Sequence, residues 1–174
     1  MLEDLIIVEF PDPRLRRVAV AVTQFDEALQ LLVERMFELM REHQGVGLAA
    51  PQVGQSLRLF IANATGQPAD DRVYINPEFL DVQGDEQDEE GCLSLPKIRA
   101  KIWRGDTVTL RAQDVTGKSF EQTEPGFVAR IWQHEMDHLN GTLILDRMGP
   151  TDKLATRKLV KDLEDKFAGR KPRK

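Results

Sequence analysis

The chain has 174 residues, 41% hydrophobic and 30% charged, with a formal net charge of −5; this suits one soluble domain with a real core. The charge is uneven: residues 151–174 carry nine Lys/Arg against four Asp/Glu, while residues 1–150 carry 15 against 25. An acidic body argues against a DNA-binding protein and leaves room for one local contact with an anionic partner. No apolar run approaches the ~20 residues of a membrane span. The opening M-L-E-D-L-I-I-V-E-F is acidic and lacks a basic leader, so a cytoplasmic location away from membranes is expected.

The first helix signal is Thr23 followed by Asp26, a capping pattern with a short acid. Leu29, Leu32, Val33, Met36, Leu39 and Met40 then recur at helical spacing, and Gly45 supplies a stop. His43 near the end of this helix reads as a surface group, favoured there by the helix dipole. The next stretch, G-V-G-L-A-A-P-Q-V-G at 45–54, imitates a dinucleotide-binding pattern. A phosphate cradle needs a strand before its glycines and a helix after them. Here a helix comes first and Pro51 forbids an ordinary helix afterwards. The stretch therefore reads as a loop whose glycines allow close approach of a backbone, and it carries one uncharged amide, Gln52.

Strand signals follow in L-R-L-F-I-A at 57–62, V-Y-I at 73–75 and the alternating D-T-V-T-L-R-A-Q-D at 106–114. D-V-T-G-K at 114–118 turns the chain into S-F-E-Q-T-E at 119–124. Between these lies G-D-E-Q-D-E-E at 84–90, read as a solvated acidic loop that switches abruptly to apolar residues at Cys92. Pro125 and Gly126 end the strand pattern. A second helix is expected from about residue 127 to 139, closed by Asn140 and Gly141. A third begins near Thr151 and uses Leu154, Leu159, Val160, Leu163 and Phe167. Strands in the middle with helices before and after them predict an α+β fold. Its mixed or antiparallel sheets would surround a central metal-binding helix. Residues 1–168 form the expected single catalytic domain, and 169–174 a basic tail.

The second helix carries Q-H-E-M-D-H-L-N-G at 133–141. His134 and His138, four apart, share one helix face and can hold one metal ion. A catalytic site usually adds a third protein ligand and leaves one position open. In the extended metalloprotease pattern the third histidine would fall at Ile144. Asp146 and Asp152 remain conceivable ligands, but neither continues the helix. Cys92 is the only cysteine, so it makes no internal disulfide. A lone cysteine is usually a small buried hydrophobe; beside two imidazoles, its thiolate is the strongest partner available for a borderline metal.

Three motifs, G-V-G-L-A-A-P-Q, E-G-C-L-S and Q-H-E-M-D-H, together with P-D-P-R-L-R at 11–16, resemble the signatures of the peptide deformylases. These enzymes remove the formyl group from the N-terminal methionine of nascent bacterial proteins. The resemblance covers nearly the whole chain. It implies that Cys92, His134 and His138 hold one divalent metal per chain. That metal is Fe²⁺ in native family enzymes, with Zn²⁺, Ni²⁺ or Co²⁺ as alternatives in purified protein. It casts Glu135 as general base and acid, and the Gln52 amide and Leu93 N–H as donors to the formyl oxyanion. Gly45, Val46 and Gly47 would take the formylmethionyl peptide as an added strand, with Glu90 and Arg99 as further substrate contacts. Val46, Phe127 and Ile131 would surround the methionine side chain.

Asp88, Pro125 and Trp132 depart from the residues common at those family positions, which leaves the pocket's preference open. The resemblance also implies a ribosome contact through the C-terminal helix, here Arg157, Lys158, Lys161 and R-K-P-R-K at 170–174. The alternatives are a zinc metallopeptidase of the H-E-x-x-H type and a structural metal protein. The latter lacks a second cysteine to close the site.

Overall fold

The computed structural model describes residues 5–169. As expected, the fold is α+β. Strands β1 (Gly47–Ala49), β2 (Leu59–Ala62), β3 (Arg72–Gln83), β6 (Thr107–Gln113) and β7 (Ser119–Pro125) form one antiparallel sheet in the order β1-β2-β3-β6-β7. Strands β4 (Glu86–Cys92) and β5 (Leu95–Arg104) form a separate antiparallel hairpin. Helix α1 (Glu27–Glu42) precedes the sheets, and α2 (Gly126–Leu139), α3 (Ile144–Arg147) and α4 (Pro150–Gly169) follow them.

Period-two alternation in the central strands divides the core. Leu59, Ile61 and Ile75 face α1 and its buried Leu32, Met36 and Met40. Phe60, Tyr74, Val108 and Leu110 face α2 through Ala129, Trp132, Met136 and Leu139. Trp132 meets Tyr74 edge-on with ring centroids 5.4 Å apart. The sheet thus lies between two helices, and α2 is buried on several sides, as the central helix of the expected architecture. The third core cluster joins Leu95, Ile98, Ala100 and Ile102 of β5 to Ile144 and Leu163.

Several local expectations are corrected. The start of α1 is capped by Asp26, whose side chain accepts the Leu29 N–H at 3.0 Å, rather than by Thr23. Its stop lies one residue before Gly45: Gln44 takes φ +55°, and the Gly45 N–H reaches back to the Met40 carbonyl at 2.8 Å. The 45–54 loop contains strand β1 and a 3-10 turn, Ala50–Val53, closed by Gly54 at φ +78°. The acidic run at 84–90 is mostly strand β4, whose exposed residues pair with β5 instead of forming a loop. In α4, Leu154 is 74% exposed and lies on the solvent side, while Leu163 reaches the core. That helix runs through Gly169, and the tail at 170–174 lies outside the described residues.

Candidate active site

Two elements deliver the metal-binding side chains. Cys92 ends β4 at a two-residue turn, Leu93 and Ser94, and pairs with Leu95. The register then jumps, because Gly91 pairs with Arg99, so β5 bulges beside the cysteine. His134 and His138 lie on one face of α2. The Cys92 Sγ and one nitrogen of each histidine lie within 4.8 Å of one another. Cys92 Sγ is 3.3 Å from His138 Nε2, which is 3.3 Å from His134 Nε2. Asp146 and Asp152, the other conceivable ligands, are engaged elsewhere. Asp146 pairs with Arg16, and Asp152 accepts the Lys101 N–H at 3.0 Å.

The donor set fits a divalent ion. A thiolate and two imidazoles are the ligands that borderline first-row metals prefer, and three of them leave a position open. The His134 ring is oriented for ligation, since its Nδ1 lies 2.9 Å from Glu90 Oε2 and its Nε2 is 3.3 Å from His138 Nε2 in the cluster. Glu135 Oε2 is buried without a hydrogen-bond partner among the described residues. Burial pushes the Glu135 carboxyl up to about 7. A cation at the neighbouring cluster would favour its charged form. Burial also opposes charge on His134, but Cys92 and Glu90 outweigh it and hold the imidazole well above its ordinary value. Burial and the charges of His134 and Arg104 push His138 well below its ordinary value.

Gln52 is 1% exposed. Its Oε1 accepts the Ala49 N–H at 2.9 Å, which orients the amide. Its Nε2 lies 3.1 Å from Ser94 Oγ and 3.5 Å from Cys92 Sγ. The amide N–H group is therefore aimed at the cluster. Gly47 must lack a side chain, because a Cβ there would stand 2.4 Å from Glu135 Oε1.

A cavity of about 960 Å³ opens over these groups. Its lining includes Gly45, Val46 and Gly47, Glu90 and Gly91, and Leu93, Phe127, Ile131, His134 and Glu135. β1 is an edge strand with β2 as its single partner in the sheet. Arg99 sits at the exposed rim, its Nε 2.5 Å from Glu89 Oε1. His43 is an exposed C-cap residue that also borders the outer cavity. Asp88, Pro125 and Trp132 do not line it, so their departures from the family pattern leave this wall unchanged.

Glu90 is the expected substrate contact that the geometry reassigns. It is 6% exposed, and its carboxylate accepts from Arg104 Nε (2.8 Å), Arg104 Nη2 (2.9 Å) and Arg130 Nη1 (3.0 Å), besides meeting His134. Those four contacts use the carboxylate's full acceptor capacity. Burial would raise its pKa, but Arg104 and His134 more than offset this and hold it well below the usual carboxylate range. Its side chain serves His134 and has nothing left for a substrate. Sequence reasoning missed Arg104, Arg130 and Asp137 as supports of the site. Arg130, set inside the predicted second helix beside Ile131 and Trp132, was the available signal; Arg104 lies outside every predicted element.

The sequence model of the family described as polypeptide deformylase matches residues 5–154. The chain is 47% identical over 161 residues to the peptide deformylase of Thermotoga neapolitana, covering 92% of this chain and 96% of the relative. It is 46% identical to that of Acidobacterium capsulatum, covering 82% and 85%. A crystal structure of peptide deformylase from Plasmodium falciparum superimposes with a TM-score of 0.94 at 37% identity, covering 97% of this chain and all (100%) of that one.

Proposed function

This chain belongs to the polypeptide deformylase family, and on that footing we propose which of its residues carry out the reaction. The activity is metal-dependent hydrolysis of the N-formyl group from nascent polypeptides, with formate as the second product. The observation that carries the assignment of residues is the convergence of Cys92, His134 and His138 within 4.8 Å, with Glu135 next to His134 on the same helix. We assign those three as the ligands of one divalent ion, Fe²⁺ in the cell. When bound, such an ion would lower the pKa of a water molecule toward about 7.

The peptide backbone adds as a strand along the open edge at Gly45, Val46 and Gly47. Its methionine side chain enters between Val46, Phe127 and Ile131, and Arg99 meets the chain at the rim. Glu135 accepts a proton from the attacking water and returns it to the departing amine. Attack places negative charge on the formyl oxygen, where the Gln52 amide and the Leu93 N–H donate.

The test is formate release from formyl-Met-Ala-Ser by protein loaded separately with Fe²⁺, Ni²⁺ and Zn²⁺. The expected result is turnover with iron or nickel, and its loss in a Glu135→Ala protein that keeps its ion. Cleavage of internal peptide bonds without formate release would instead support the metallopeptidase reading. Among the described residues no helix is long and apolar enough to cross a membrane. We propose action in the cytoplasm, where nascent chains emerge. Arg157, Lys158 and Lys161 on the exposed side of α4 are our candidates for a ribosome contact. Such a contact should weaken steeply with salt in co-sedimentation.

A further inference from the structure

Behind the ligand cluster, charges of alternating sign run from the surface to His134. Arg147 meets Asp137 through two bonds, Nε to Oδ2 at 2.5 Å and Nη2 to Oδ1 at 2.6 Å. Asp137 Oδ2 also accepts from Arg104 Nη1 at 2.7 Å. Arg104 uses its other two nitrogens, Nε and Nη2, on the two oxygens of Glu90, and Glu90 Oε2 meets His134 Nδ1. The inner members are buried, whereas the Arg147 side chain is 45% exposed. Arg147, Asp137 and Arg104 line a cleft of about 280 Å³ that shares no lining residue with the substrate cavity.

We propose that Arg147 is a positioning residue for the metal site, acting on His134 through Asp137, Arg104 and Glu90 without touching substrate or metal. The physical reason lies in Arg104, which two carboxylates share. Asp137 Oδ1 has Arg147 as its hydrogen-bond partner among the described residues. Without Arg147, that buried carboxylate has unmet acceptors, and the nearest donor is Arg104. A guanidinium drawn toward Asp137 loosens its two-point grip on Glu90, because the planar fork moves as one body. Glu90 then holds the His134 ring less firmly, and ring orientation governs ligation. Arg147 therefore keeps Arg104 divided between its partners.

The neighbouring residue supplies a control. Asp146 lies on the same short helix and pairs with Arg16, and its Oδ2 accepts the Leu143 N–H at 2.8 Å. It supports α3 and makes no hydrogen bond to the charge series among the described residues, although the Arg147 charge helps to lower its pKa. If Arg147 merely held α3 in place, loss of Asp146 would have the same effect.

This inference rests on the assignment of Cys92, His134 and His138 as ligands, so the experiment measures both. Wild type, Arg147→Met, Arg147→Lys, Asp146→Asn and Cys92→Ala are loaded with Co²⁺. Its affinity is measured by chelator competition, and its ligand geometry by visible absorption. Wild type should take one ion per chain and Cys92→Ala should lose it; failure there sinks the ligand assignment and the inference with it. Given that binding, Arg147→Met should retain Co²⁺ roughly three- to tenfold less tightly, with a shifted visible spectrum. This is below the roughly 10- to 100-fold typical of a group that touches a ligand directly. Arg147→Lys, which keeps the charge and loses the fork, should fall between, and Asp146→Asn should match wild type. An unchanged affinity and spectrum in Arg147→Met overturns the proposal, as does an Asp146→Asn protein that shows the same loss.

Discussion

Replacing Gly47 with alanine tests whether Glu135 is held where the chemistry needs it. The added Cβ would lie 2.4 Å from Glu135 Oε1, 2.9 Å from Cδ and 3.0 Å from Cγ. Ordinary contact begins near 3.4 Å, so the carboxylate must retreat by about 1 Å. Turning the carboxylate alone does not relieve the clash, because the carbons behind it are crowded too. Glu135 is itself buried at 4% exposure, so retreat disturbs its neighbours. A displacement of about 1 Å can cost roughly 10²-fold in rate, or about 2.7 kcal/mol of barrier. The overpacking itself costs about 1–3 kcal/mol of stability. The assay is kcat/KM for formyl-Met-Ala-Ser on nickel-loaded protein, with ion content measured on the same sample. Gly47→Ala should keep its ion, since the three atoms nearest the new methyl all belong to Glu135. In a Glu135→Asp background, which removes one methylene, the same methyl should cost much less, giving a clear coupling energy. A Gly47→Ala protein within threefold of wild type would refute the idea that this strand fixes the carboxylate.

Gln52→Glu keeps an oxygen for the Ala49 N–H but removes the amide donor aimed at Cys92; kcat should fall by roughly 10²–10³ with the fold intact, and an unchanged kcat would remove Gln52 from the oxyanion site. Burial raises the Asp146 carboxyl, but hydrogen bonds from Arg16 and the Leu143 N–H outweigh it, so its pKa in the folded chain is lowered. The stability it adds is thus present above the ordinary aspartate value and disappears as pH falls through the lower folded value. The gap between wild type and Asp146→Asn in urea midpoint should be full at pH 7 and shrink as pH falls below the ordinary aspartate range; a gap that does not change with pH contradicts this. Trp132 is fully buried, at 0% exposure, against Tyr74. Trp132→Ala should cost about 3–5 kcal/mol in urea unfolding, and a loss below 1 kcal/mol would mean that α2 is not anchored there.

Periodicity revealed α1 and β6 because each has one face in a core and another outside it; α2, buried on nearly every side, was marked by the residues that bound it, Pro125 and Gly126 before and Asn140 and Gly141 after. The same logic fails for β4 and β5. Residues 86–89 of β4 are exposed, and they offer charges with no apolar alternation. Its partner β5 does alternate, with Leu95, Ile98, Ala100 and Ile102 buried, but Pro96 and a left-handed Lys97 at φ +65° interrupt the start. Their pairing spans a register jump at Cys92, which no local propensity encodes. Leu154 fails in the other direction: it matched a helical period, yet α4 packs on the body along a narrow line through Thr156 and Leu163.

The ligands were legible for a different reason. His134 and His138 are fixed by helix geometry alone, and Cys92 was the only thiol that could join them. Groups that act on a ligand from behind leave no such spacing. Glu90 sits two residues before Cys92, so strand alternation would place both on one face, and it was read as a substrate contact. The structure directs its carboxylate to His134 because Arg104 and Arg130 flank it from β5 and α2. In an isolated hairpin, Glu90 would be solvated and free to meet a substrate. Two buried arginines convert it into a fixed support, and without Glu90 the buried Arg130 would lose its ion-pair partner while Arg104 would be left with Asp137. The residues therefore specify one another only after α2 has docked, which is why the arrangement escapes a reading that takes segments one at a time.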